Sequence, residues 1–342
     1  MKSNSSLATR FLKGTVVAVG AWLSVKAISN SLNKFSLRDK VVLITGGTRG
    51  LGLILARQLA DEGARIVICG RSEETLRRAS EDLASRTDDY MAIPCDITDK
   101  QQIKDMIRQV KNEMGSVDIL INNAGIIQVG PRESMKEEDY DSAMKSHFWG
   151  PLHLMNEVLP DMLEKRDGRI VNIVSIGGKV SFPHLLPYNA SKYALSGLSE
   201  GMASELRRYN IKVTTVYPGL MRTGSPRNID VKGQHQKEYA WFKIADSLPL
   251  LSMDAEQASR QIIEAMKKGS RTLILSIPAK LAVAVHGIAP RFTISVLDLI
   301  NSLLPVNKDG EQSRKGYESS SKLSDSILTR KTDEAAKKNL EV

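Results

Sequence analysis

The sequence predicts an α/β fold: a doubly wound parallel sheet of about seven strands with helices on both faces. Three observations point to it. Short, largely apolar runs, such as VVLITG (41–46) and VDILIN (117–122), recur along the chain. Stretches with helical spacing follow most of them. The first strand-to-helix turn, TGGTRGLG at 45–52, is rich in glycine. Strands apolar on both sides need cover on both faces, and parallel neighbours need crossover helices to join them.

In chain order, strand 41–46 leads into a helix over 50–63. Strands follow at 65–69, 91–95, 117–122, 168–175, 211–218 and 272–276. Helices are expected over 72–86, 99–114, long stretches through 162, 187–209 and 254–268. No repeat of fixed period appears. A catalytic domain is therefore expected at 40–276. An N-terminal arm (1–39) precedes it, and an apolar extension (277–306) and a polar tail (307–342) follow. The arm holds GTVVAVGAWLSV (14–25) between Lys13 and Lys26. That run is shorter than the ~20 residues that span a bilayer. Snorkelling lysines extend its reach to 11–28, so a membrane anchor or interfacial helix is expected there, the other reading being a packed or disordered arm. The extension is broken by Pro278 and Pro290 and does not read as a transmembrane helix. It is open to packing on the core, lining a substrate entrance or lying on a membrane. The tail is rich in Ser and Lys and reads as mostly disordered, with weak helix near 331–341.

A chain of 342 residues suits one large domain or two small ones. Its net charge of +9 asks for an anionic partner: lipid, a phosphate-bearing cofactor or nucleic acid. With no zinc-ligand cluster, no RNP-like aromatic motif and no basic region joined to heptads, nucleic acid is the weakest of these, and no metal site is expected. Cys69 and Cys95 each follow an apolar run and read as small buried residues, which fits a reducing compartment.

The turn at 45–52 lies after a strand and opens a helix, the setting in which glycines cradle a phosphate. Gly46 and Gly52 permit tight turning and close approach. Gly50 sits at the helix start, where free N–H groups attract an anion. Thr48, Arg49 and Leu51 of the same turn are expected beside the cofactor. An NAD-binding fold usually places an acid after the second strand to hold the ribose 2′-OH. Here the strand ends Cys69-Gly70-Arg71-Ser72. Arg71 and Arg49 suit a 2′-phosphate instead, so NADP is expected, the alternative being two solvated arginines. Asp96 is placed either to accept from the adenine amino group or to serve as a turn residue beside Thr98.

With NNAG (122–125), Ser175, Tyr188-x-x-x-Lys192 and PG (218–219) in that order, the chain resembles the short-chain dehydrogenase/reductase family over about 40–276. The resemblance implies a Rossmann-type fold and hydride transfer between a nicotinamide and a carbonyl or alcohol. It implies Tyr188 as general acid/base, Ser175 holding the substrate oxygen, and Lys192 also bonding the nicotinamide ribose. Asn123, Pro218, Gly219 and Thr223 are implied to lie against the cofactor. The residues support part of this independently. Tyr188 and Lys192, four apart, share a helix face. An ammonium near a phenol of pKa about 10, together with a positively charged oxidised nicotinamide, favours the phenolate and is expected to lower that value. Ser175, at a strand end, suits an oxygen on which charge builds.

One position departs from the family pattern. His147, in SHFWG, stands where many members carry a catalytic Asn. It is read either as a proton relay titrating near neutrality or as a packed histidine. On the substrate side, His235, Tyr239, Trp241 and Phe242, with Leu185, Leu186 and Pro187, suggest an apolar pocket for a lipophilic ketone, aldehyde or alcohol. The alternative is that the aromatics pack a lid onto the core or form an oligomer interface. The expected function is NADPH-dependent reduction of such a compound, or its reverse. The rival is a non-catalytic NADP-binding sensor or scaffold. A cytoplasmic-side, membrane-associated homo-oligomer is the expected setting.

Overall fold

β1 (Val41–Thr45) is buried along its whole length, as five largely apolar residues must be at the centre of a covered sheet. It pairs in parallel with β2 (Arg65–Gly70) on one side and β4 (Ile119–Asn122) on the other. β3 (Tyr90–Pro94) extends the sheet past β2. β5 (Gly168–Ile173), β6 (Ile211–Tyr217) and β7 (Thr272–Ile274) extend it past β4. The order is β7-β6-β5-β4-β1-β2-β3, all parallel, so the seven-stranded Rossmann-type sheet expected from the sequence is present. The order reverses between β1 and β4. The crevice at the carboxyl ends of those strands is where such sheets take their ligands.

The computed structural model describes residues 35–306, 310 and 312–342. The apolar 14–25 stretch, expected as an anchor, lies outside the described residues. α1 (Gly50–Asp61), α2 (Glu73–Ala84) and α3 (Lys100–Glu113) connect the first four strands. α2 and α3 begin where Ser72 and Asp99 accept backbone N–H groups of the first turn. The helical stretch before β5 is α4 (Glu137–Met144), a π-turn (Lys145–Trp149) and α5 (Gly150–Lys165). α6 (Leu186–Glu205) and α8 (Ala255–Lys268) flank β6 in sequence, with α7 (His235–Ser247) between. Val41, Leu43, Val67 and Cys69 point into a core shared with Ile103 and Val110 of α3, Leu154 and Val158 of α5 and Ala203 of α6. Alternate residues such as Val42 and Ile44 face the opposite layer, where α1 packs with α2 and α8. Cys69 and Cys95 are buried free thiols.

The extension forms two helices, α9 (Ile277–Ile288) and α10 (Pro290–Leu303). Ala279 is their buried residue, while Ile277, Leu281, Ile288, Phe292, Leu299 and Leu303 are exposed. Among the described residues, no helix is long and apolar enough to cross a membrane.

Residues 312–342 differ from the mostly disordered tail expected of the composition of 307–342. Arg314–Lys315 pairs with Asp230–Val231. α11 (Arg330–Lys338) packs on α7, and Thr329, Thr332, Ala336, Asn339 and Glu341 are buried. Buried Lys243 of α7 reaches Asp325 at 3.1 Å and Asp333 at 2.8 Å. A polar segment is held here because its small residues fit one face and its acids meet a buried cation. The helix foreseen near 331–341 is α11.

A polar ladder crosses the sheet interior. Asn122 Nδ2 donates to Asn172 Oδ1 at 2.7 Å, Asn172 Nδ2 donates to Ser199 Oγ at 2.9 Å, and Ser199 Oγ meets Thr215 Oγ1 at 2.6 Å. Replacing Asn172 by Leu leaves the Asn122 amide without its acceptor in a dry sheet. We expect a loss of about 1–3 kcal/mol of stability, read as a lower urea midpoint at unchanged slope. An unchanged midpoint would mean that the ladder adds nothing to stability.

Candidate active site

β1 ends at Thr45, and the chain turns through Gly46 (φ +61) and Gly50 (φ +55) into α1. Both lie in the region that favours glycine. Gly52 is required for a different reason: a Cβ there would press into the carbonyl of Gly46 and lie 2.6 Å from Asn123 Nδ2. Thr45 Oγ1 accepts the N–H groups of Asn123 and Ala124, both at 3.0 Å. Asn123 Nδ2 donates back to the carbonyls of Thr45 and Gly46 at 3.0 and 3.1 Å. Asn123 therefore locks the cradle. Thr48 and Leu51 are buried in the turn.

The cradle's chemistry fits an anion, because it already meets one. Arg49 Nε lies 3.3 Å from the carboxylate of Glu341, and the N–H of Gly50 donates to the carbonyl of Asn339 at 2.9 Å. Arg71 is exposed after β2, in line with the expected absence of an acid there. Asp96 takes the second of its two expected roles. Its Oδ1 accepts from the N–H and hydroxyl of Thr98 at 2.9 and 2.8 Å, a turn contact. The Pro218 carbonyl accepts the N–H of Ile176 at 2.7 Å, which ties the end of β6 to the loop after Ser175. Gly219 lies beside Ser276 and Ala279. Thr223 is buried, and its carbonyl accepts from Asn339 Nδ2 at 3.2 Å.

Ser175 follows β5 at the carboxyl edge of the sheet, and its Oγ accepts the N–H of Gly177 at 3.0 Å. Tyr188 and Lys192 stand one turn apart on α6. Ser175 neighbours the Tyr188 phenol and favours its ionised form. Lys192 Nζ lies 5.7 Å from the centre of the Tyr188 ring and donates to the Ile173 carbonyl at 2.9 Å. Serine, tyrosine and lysine thus come from two elements to one point beside the crevice. A short chain dehydrogenase family model matches residues 40–232. The chain belongs to the short-chain dehydrogenase/reductase family.

Among its relatives, dehydrogenase/reductase SDR family member 7B of Bos taurus is 31% identical over 79% of this chain and 81% of its own. A fatty acyl-CoA reductase of Acinetobacter baylyi is 30% identical over 80% of this chain and 88% of its own. The structure of a gluconate 5-dehydrogenase from Burkholderia cenocepacia, in complex with NADP and tartrate, superposes with a TM-score of 0.63. It is 28% identical and covers 72% of this chain and 97% of its own.

In this short-chain dehydrogenase/reductase the protein surroundings of Tyr188 favour its neutral form. Burial pushes its phenol up, and Ser175 only partly opposes this. Burial also lowers Lys192 to about 7, so near neutrality the lysine is only partly an ammonium and has less pull on the phenol. Among these protein groups desolvation outweighs charge.

His147 sits in the π-turn, buried, and its ring meets Tyr188 edge-on at 5.5 Å. Its Nε2 accepts the N–H of Ile126 at 3.1 Å, which leaves the proton on Nδ1. Nδ1–H donates to Ser191 Oγ at 2.7 Å, and that hydroxyl donates to the Tyr188 carbonyl at 2.8 Å. Burial and the nearby Lys192 hold its pKa well below the usual histidine range. His147 is thus a neutral brace, which corrects its reading as a relay that titrates near neutrality. Gly125 makes room for it: a Cβ there would lie 2.7 Å from Nε2.

The lid aromatics follow their second reading. Tyr239 and Phe242 are buried with Val129, Ile229 and Val231. Two residues were missed. His184 (φ +61) donates from Nδ1 to both oxygens of buried Glu238 at 2.9 Å, and Trp241 Nε1 donates to the same carboxylate at 2.7 Å. A cleft of about 740 Å³ opens between this corner and α10, lined by Pro131, Phe182, His184, Leu186, Ile294 and Leu297. Only the off-pattern position of His184 and Glu238, far apart in sequence, could have signalled the pair.

Two outcomes follow from these shifts. A lysine lowered to about 7 in the fold holds its proton less readily than in the unfolded chain, where its value is about 10.4. Between those values the unfolded state binds more protons, so this group adds stability as pH rises and adds none below about 7. Denaturant titrations at pH near 7 and near 9 should show wild type gaining roughly 1–3 kcal/mol relative to Lys192→Met. A constant gap would refute the lowered value. For His147→Asn, turnover should fall less than about tenfold with its pH profile in place, whereas a titrating relay predicts an acid limb displaced by about one unit or more.

Proposed function

We propose that this chain is an NADPH-dependent reductase of a lipophilic ketone or aldehyde, able to run in reverse as an alcohol dehydrogenase. The reading rests chiefly on the convergence of Ser175, Tyr188 and Lys192, with the phenol beside Ser175 and held toward its protonated form by burial. A protonated phenol is the form that donates to a carbonyl oxygen.

NADPH, when bound, supplies the hydride. Gly46, Gly50, Gly52 and Asn123 form the cradle that would hold its phosphates, and Arg71 is placed for a 2′-phosphate. Lys192 is the group for the ribose, and Pro218, Gly219 and Thr223 line the nicotinamide side. Ser175 Oγ–H steadies the substrate oxygen, and Tyr188 Oη–H gives it a proton. The phenolate left behind is met by Lys192, whose ammonium form it favours. His147 fixes the backbone of Tyr188 through Ser191. The missing acid after β2 and the NADP bound in the Burkholderia cenocepacia relative support NADP over NAD.

The lipophilic substrate class is supported by the cleft under α10, by the exposed apolar residues of α9 and α10, and by the similarity to a fatty acyl-CoA reductase. Those residues and the 14–25 stretch suggest a domain held at a membrane surface on the cytoplasmic side, where NADPH is available.

NADPH oxidation against a panel of long-chain ketones and aldehydes tests the reading. Tyr188→Phe should lower kcat at least about 100-fold while leaving NADPH affinity within about threefold. If wild type and the variant match across the panel, the non-catalytic sensor becomes the better reading. Arg71→Ala should raise KM for NADPH about tenfold and leave that for NADH unchanged.

A further inference from the structure

Asn339 and Glu341 lie in the turn that the proposed function assigns to the cofactor's phosphates. The Gly50 N–H, the first donor of α1, is used by the Asn339 carbonyl, and the Arg49 guanidinium by the Glu341 carboxylate. A Cβ on Gly50 would collide with Glu341 Oε1, so the carboxylate lies directly over the glycine that a phosphate must approach. Asn339 Nδ2 donates to the carbonyl of Thr223, a residue placed on the nicotinamide side. The segment therefore touches the dinucleotide site at both ends.

The receiving surface is shaped to it. Arg57 Nη2 donates to the Lys338 carbonyl at 3.1 Å, and Arg78 Nη1 to the Val342 carbonyl at 2.6 Å. Asn228 Nδ2 donates to the Glu341 carboxylate at 2.6 Å and to its backbone carbonyl at 3.1 Å. Gly224 (φ +93) lets α11 approach so closely that any side chain there would strike Ala336. Leu340 takes φ +55 to bring Glu341 inward.

We infer that residues 339–342 are an intrasteric gate on the dinucleotide site, filling the phosphate-binding turn with the chain's own carboxylate until they leave and admit the cofactor. The inference rests on the dinucleotide reading above. The grip is reversible by its nature. Arg49 is 42% exposed, and an ion pair at that exposure is worth little. A dinucleotide brings several phosphate oxygens to the same donors and displaces one carboxylate.

Burial holds the Glu341 carboxyl up to about 7 against Arg49 and Asn228, with Asp246 of α7 a like-charged neighbour. Protonation therefore favours the docked form. Docking weakens as pH rises from the ordinary glutamate range of about 4 toward 7.

NADPH binding by titration calorimetry, free of any turnover, tests the gate on three proteins: the full chain, a chain ended after Lys338, and the full-length Glu341→Lys variant. The second keeps α11 and its contacts with Lys243, and the third sets a cation against Arg49. Both should bind NADPH at least about tenfold more tightly than wild type, the factor for a gate closed about nine-tenths of the time. In the full chain, NADPH should speed amide exchange at 339–342. If the shortened chain binds NADPH with wild-type affinity, the gate is refuted and the dinucleotide reading stands. Weaker binding by the shortened chain would make the segment part of the cofactor site and likewise refute the gate. If no form binds NADPH, the dinucleotide reading fails, and the gate with it.

Discussion

Thr45 closes the seam between β1 and β4, and both halves of the site depend on that closure. Its hydroxyl accepts the N–H groups of Asn123 and Ala124 and lies 3.4 Å from the Ile121 carbonyl, to which it donates. That uses the bonding capacity of a hydroxyl in full. Asn123 returns two bonds to the start of the glycine turn, so the turn and the loop after β4 behave as one piece. The path continues outward. Ile126 in that loop donates to His147, His147 to Ser191, and Ser191 to the backbone of Tyr188. Hydrogen bonds on either side of Gly125 thus connect the glycine turn, through the loop after β4, to the backbone of Tyr188.

The same enclosure sets the charges. Lys192, Tyr188 and His147 are each displaced toward their neutral forms, chiefly by burial. A site with little fixed charge avoids the cost of burying unpaired ions. Under the proposed function, negative charge on Tyr188 would favour the ammonium form of Lys192, with a proton taken up from solvent. Sequence reasoning credited the lysine and the oxidised nicotinamide with lowering the phenol. That argument weighed charge against charge and left out the desolvation of both.

What was legible in the chain follows from the length scale of each signal. VVLIT and ILIN are buried on both faces, so their composition alone reveals the sheet and its parallel order. Gly46, Gly50 and Gly52 mark a turn of a few residues, and Tyr188 and Lys192 lie one helical turn apart. Each is a local pattern with a local cause. His184 and Glu238 meet across more than fifty residues, and nothing in either neighbourhood specifies the other. The 312–342 segment was misread because average composition is blind to a few well-placed contacts. One buried lysine, Lys243, and one close approach at Gly224 hold it. Arg49 was expected at a 2′-phosphate, and in this structure it meets the carboxylate of Glu341.

That exchange of partners changes what the cradle measures. Two buried acids bear on it, Glu341 at about 7 within the cradle and Asp246 at about 8, and the charge of Glu341 raises the cost of ionising Asp246. Asp246 accepts from the N–H of Met221, while its other oxygen has no partner among the described residues. Removing Glu341 relieves Asp246 of a like charge, and Arg222 is already present to favour its ionised form. Opening the segment therefore releases protons, and closing it takes them up. By linkage, rising pH favours the open form. A cofactor phosphate acts in the same direction, because it competes for Arg49 and the Gly50 N–H with a fully charged group, whereas Glu341 is charged only in part near neutrality. The cradle thus responds to the charge carried by whatever anion is offered to it, and the segment sets the level that anion must exceed.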